Sequence, residues 1–73
     1  MVDVEHAELI YERIKERILN HKGEIVAIEP ESGDYFVGKD VLDALKEGRK
    51  KYTEKPFYFK RIGTRYTLVV GAL

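Results

Sequence analysis

Two histidines, a row of glutamates and a single serine are the side chains of this sequence best suited to chemistry. His6 and His21 would have to lie within a few ångströms of each other to share a metal ion. They fall instead at opposite ends of one helical segment, where a polar helix start and a dipole-favoured helix end account for them. Glu8, Glu12 and Glu16 recur every four residues, the spacing of a carboxylate row that could ligate a cation. Arg13, Lys15 and Arg17 interleave with them, which fits a solvated face laced with ion pairs. Ser32 has Glu31 and Asp34 beside it but no histidine placed to take its proton, so its chemistry is that of a turn. The glycines stand singly at structural breaks and form no phosphate-cradling fingerprint. An enzyme built on Glu31, Asp34 or His21 would lack the nucleophile, base or metal constellation that catalysis needs, so no catalytic residue, cofactor or metal is expected.

A second kind of chemistry is binding. Lys46, Arg49, Lys50 and Lys51, followed by Lys55, Lys60, Arg61 and Arg65, interleave with Tyr52, Tyr58 and Tyr66. Basic groups among aromatics on a sheet can grip a single-stranded nucleic acid by phosphate contact and stacking. Lys50, Lys51, Lys60, Arg61 and Arg65 are the candidate contacts. The alternative is a basic helix end that complements the macrodipole, followed by ordinary outward-facing strand residues.

The elements that must position these groups belong to one small domain spanning residues 1–73. A chain of this length buries only about 60% of the surface its unfolded form exposes. With no cysteine, neither disulfides nor thiolate metal sites reinforce the core, which favours a reducing compartment. The first residues lack the layout of a signal peptide, and no apolar run approaches the roughly 20 residues of a membrane span, so a cytoplasmic protein is expected. Formal net charge is zero, but it is unevenly placed. Residues 1–45 carry five basic against eleven acidic groups, a balance of −6, and residues 46–73 carry eight against two, a balance of +6. The acidic half can fold against the basic half of the same molecule, or it can meet the basic half of another.

Ala7, Ile10, Tyr11, Ile14 and Ile18 form the stripe of an amphipathic helix over 4–21, with Asp3 as N-cap and Gly23 closing a basic last turn. Residues 24–29 and 34–37 read as strands of a hairpin. Pro30 opens its loop and Gly33 takes the positive-φ position. Asp40, with Asp43 three residues on, predicts a second helix of 10–12 residues, weakened inside by Gly48. After Lys55-Pro56, strands over 57–62 and 65–70 flank Gly63-Thr64, the pattern of a tight II′ hairpin. The fold class is therefore α+β, in the order α-β-β-α-β-β, with one mostly antiparallel four-stranded sheet carrying two helices.

Phe57 and Phe59 alternate with Tyr58 and Ile62, and Tyr66, Leu68 and Val70 with Thr67 and Val69, so both strand faces are apolar. Either helices cover both faces, or one face meets another chain. The second arrangement makes the protein a homodimer, with Tyr35, Phe36, Tyr58, Tyr66 and Leu68 as the candidate interface.

The run Gly23-Glu24-Ile25-Val26-Ala27-Ile28-Glu29, then Ser32-Gly33-Asp34-Tyr35-Phe36-Val37-Gly38, then Ala44, Arg49, Tyr52 and residues 57–63, resembles a family of short uncharacterised bacterial and archaeal proteins. The strand, turn, strand, glycine, helix, strand core is also similar to that of HicB-type antitoxins. The resemblance implies a small partner or antitoxin-like protein. It carries over no functional residues, and the leading helix and short loops depart from the HicB pattern. The first expectation is thus a protein-binding, antitoxin-like homodimer, and the second a small nucleic-acid-binding regulator.

Overall fold

A computed structural model describes residues 2–63. The first helix, α1, spans Val4–Ile14, and the Asp3 carboxylate accepts the His6 N–H at 3.0 Å as its N-cap. It is shorter than the expected 4–21. Beyond Ile14 the backbone switches to i→i+3 bonding, with Arg17 N–H donating to Ile14 and Ile18 N–H to Lys15, and a 3₁₀ turn follows over Leu19–His21. The tighter winding still delivers Ile18 to the core, at 3% exposure, so the apolar stripe outlasts the α-helix.

Strand β1 (Ile25–Ile28) pairs antiparallel with β2 (Tyr35–Gly38) on one side and with β3 (Tyr58–Arg61) on the other, giving the order β2-β1-β3. The first hairpin forms as its sequence predicts, with Gly33 at φ +82° closing the loop. Three strands are present among the described residues. The fourth expected strand, over 65–70, lies outside them, and so do Arg65, Tyr66 and Leu68.

Helix α2 (Val41–Lys51) begins where Asp40 and Asp43 indicate. The Asp40 carboxylate accepts the Asp43 N–H at 2.8 Å, and the Asp43 carboxylate accepts the Lys39 N–H at 3.0 Å. The two helices take opposite faces of the sheet. Ala7, Ile10, Tyr11, Ile14 and Ile18 meet Val26, Ile28, Tyr58 and Ile62 on one side. Ala44 meets Ile25, Ala27, Phe57 and Phe59 on the other, with Val41, Leu45 and Tyr52 packed around them. This explains why β1 is apolar without alternation: all four of its residues are buried. Among the described residues, the chain's own helices cover both faces of the central strand. Tyr58 is accordingly fully buried. Its place in the α1 core corrects its assignment to an exposed interface.

Gly48 lies beneath the Phe57 ring. A Cβ built there would come within 2.6 Å of Phe57 Cζ. Gly48→Ala would gain about 1 kcal/mol of helix propensity but crowds a fully buried ring, and overpacking costs about 1–3 kcal/mol. The expected result in urea denaturation is a net loss of stability; a more stable variant would show that Phe57 is free to retreat.

Candidate interaction surface

The groups singled out for catalysis or metal binding are not brought together. The His6 N–H serves the α1 cap, and His21 Nδ1 lies 3.1 Å from Glu24 Oε1, far along the chain from His6. The glutamate row breaks up, because Glu16 falls beyond the end of α1 and Glu12 pairs with Lys15 at 2.7 Å. The Ser32 hydroxyl accepts the Asp34 N–H at 3.1 Å within the turn. Among the described residues no three His, Asp or Glu side chains gather as a metal would require, and no helix is long and apolar enough to cross a membrane.

The opposed charges of the two halves meet within the molecule. Glu8 pairs with Lys60 at 3.0 Å, Glu31 with Lys55 at 2.7 Å and Asp34 with Lys51 at 2.8 Å. The last two pairs are well exposed and contribute little stability. The first is more sheltered: the Lys60 side chain is only 13% exposed and its ammonium stands 4.5 Å from the centre of the Tyr11 ring. The Tyr58 hydroxyl donates to the same Glu8 carboxylate. Burial alone would raise the Glu8 carboxyl, but these two donors outweigh it and hold the pKa below its usual value. Burial and the neighbouring Glu8 push the Tyr58 hydroxyl well above its own. Lys51 and the Tyr52 hydroxyl lower Asp34.

These contacts decide what the basic set can do. Strand alternation sends Lys60 to the α1 face and Arg61 to the α2 face. Lys51 sits by Asp34 at one end of the sheet, while Arg61 donates to the Gly23 carbonyl at 2.8 Å at the other end. Lys50 pairs with Glu47 at 2.9 Å. Among the described residues, Lys50, Lys51 and Arg61 thus lie on the α2 side of the sheet and Lys60 on the α1 side, with Lys51 and Arg61 at opposite ends.

Glu29 escaped the sequence reading. Its residue is 1% exposed, yet its carboxylate accepts the Glu31 N–H at 3.0 Å and the Ser32 N–H at 2.9 Å. An acid immediately before Pro-Glu-Ser-Gly was the available sign, since a side chain there can satisfy the loop's own N–H groups.

Among the described residues, the outer edge of β2 has no strand beside it. Glu29 N–H donates to Asp34 O, and Ile62 N–H donates to Glu24 O on the other side of β1. Both fix the same phase: residues 25 and 27 exchange bonds with Gly38 and Phe36, and residues 26 and 28 with β3. The N–H and C=O groups of Tyr35 and Val37 therefore point away from β1, along the outer edge of β2. The side chains of Tyr35, Phe36 and Val37 are half-buried. Over the first turns of α2, Lys39, Asp40, Leu42, Asp43 and Lys46 line a hollow of about 390 Å³, and Leu42 is 68% exposed. No family model, curated protein or solved structure matches the chain.

Proposed function

We propose that this chain is a non-catalytic protein-binding module that works as a homodimer and acts by occupying a partner protein, in line with the resemblance to HicB-type antitoxins. The observation that carries the reading is the outer edge of β2, where the main-chain groups of Tyr35 and Val37 point out of the sheet beside half-buried Tyr35 and Phe36. An open strand edge is a ready template for another chain. With both faces of β1 covered, the edge takes the role that the sequence suggested for a sheet face. The described basic groups favour no second reading, because Lys60 lies on the opposite side of the sheet from Lys50, Lys51 and Arg61.

The test is solution mass by light scattering at low and high salt. A dimer that persists in high salt is expected, because main-chain hydrogen bonds and apolar contacts are screened far less than exposed ion pairs. A monomer at every salt and protein concentration would overturn the reading.

A further inference from the structure

Building on the binding-module reading, we propose that two copies join β2 to β2, antiparallel about a twofold axis at Phe36, so that their sheets become one. The axis sets Tyr35 of each copy opposite Val37 of the other. These are the residues whose N–H and C=O groups face outward, so each such pair exchanges two main-chain hydrogen bonds.

The register follows from what neighbouring registers would do. A shift of two residues one way sets Asp34 against Asp40 of the second copy, and the same shift the other way sets Phe36 against Asp34. With the axis at Phe36, the two Phe36 side chains form a close non-hydrogen-bonded pair on the α2 face. Each already packs edge-on against Tyr52 and Phe57, with ring centres 6.2 and 6.0 Å apart, so the two aromatic clusters merge across the axis.

Helix α2 argues for a second copy over a foreign strand. A twofold axis perpendicular to the sheet places both α2 helices on the same face, running antiparallel. Arg49 turns toward Phe57 and β3 and Lys51 reaches Asp34 beside β2, so Asp43, Glu47 and Lys51 lie on the flank toward the outer edge of β2. That flank is acidic toward the N-terminal end of the helix and basic toward its C-terminal end. The antiparallel arrangement brings Asp43 of one copy toward Lys51 of the other, and it opposes the two helix dipoles. α2 lies over both β2 and β1, so the two helices flank the joint on the same face of the merged sheet.

Residue-resolved amide hydrogen exchange on the full chain, followed against protein concentration, tests the joint. In the dimer the Tyr35 and Val37 amides should exchange slowly, and dilution to monomer should speed them on the order of tenfold or more. The Phe36 and Gly38 amides, bonded to β1, should stay protected throughout. A dimer whose Tyr35 and Val37 amides exchange at the unprotected rate would overturn the joint and leave the binding-module reading standing. A monomer at all concentrations would remove both. Val37→Pro deletes one outward N–H without touching the β1 ladder and should yield a folded monomer. A folded Val37→Pro protein that dimerises as tightly as the parent would sink the proposal, and if the variant does not fold the exchange experiment decides alone.

Discussion

Gly38→Ala should destabilise the domain by about 3 kcal/mol, enough to lower the melting temperature by roughly 12–24 °C in a protein of this size. Gly38 closes β2, and α2 crosses it so closely that an added Cβ would lie 2.3 Å from Ala44 N and 2.8 Å from both Ala44 Cα and Asp43 C. Those atoms are helix backbone, so no side chain can rotate aside. The whole first turn of α2 must lift, and it takes the Asp40 cap and the packing of Ala44 on Ile25, Ala27 and Phe59 with it. Gly33→Ala is the useful comparison. Gly33 sits at φ +82° with nothing within 4 Å of an added Cβ, so its cost is only the left-handed backbone penalty of about 1–2 kcal/mol. Calorimetry on both variants separates the two mechanisms. A Gly38→Ala protein as stable as the parent would mean that α2 does not rest on β2 at this distance.

The second large effect belongs to Glu29. Burial raises its carboxyl, but the N–H groups of Glu31 and Ser32 outweigh burial and hold it below its usual pKa of 4.5. A carboxylate whose pKa is depressed on folding adds stability that is fully present above the unfolded pKa and is lost as pH falls through the folded one. Glu8 and Asp34 shift in the same direction, so urea midpoints should be flat near neutrality and fall progressively below about pH 4.5. Glu29→Gln keeps the size but turns an amide NH₂ toward loop N–H groups. Its expected cost is about 3 kcal/mol at pH 7, with a visibly shallower loss in acid. Equal acid sensitivity in parent and variant would show that Glu29 does not organise the loop.

Much of the fold was legible because local rules decided it. Asp3 and Asp40 cap the helices they precede, Asp43 in the first turn of α2 takes the Lys39 N–H, Gly33 turns the hairpin, and the apolar runs over 24–29 and 57–62 contain β1 and β3. What the sequence concealed depends on contacts distant in the chain. Gly48 reads locally as a weak point in a helix and becomes intelligible only under the Phe57 ring. Tyr58 looks like an interface aromatic until α1 covers it and Glu8 takes its hydroxyl. The end of α1 was misread because Ile18 continues the helical stripe while the backbone has already tightened. The charge halves announced mutual attraction, but their spacing alone left open whether it acts within one chain or between two. For the candidate surface, the half-buried Tyr35 and Phe36 were visible in the sequence. The outward phase of β2's main chain was not, because it is set by hydrogen-bond alternation rather than by residue type.

The tie from Glu8 to Tyr58 spans 50 residues of chain. A ribosome therefore releases α1 long before the strand that will hold it. Until β3 emerges, the nascent chain presents an apolar helical stripe with an incomplete sheet beneath it. The surplus of acid in the first 45 residues then keeps emerging chains apart by mutual repulsion. The basic residues that cancel that surplus arrive later, Lys46 to Lys51 with α2 and Lys60 and Arg61 with β3, so the charge nears balance as the core closes.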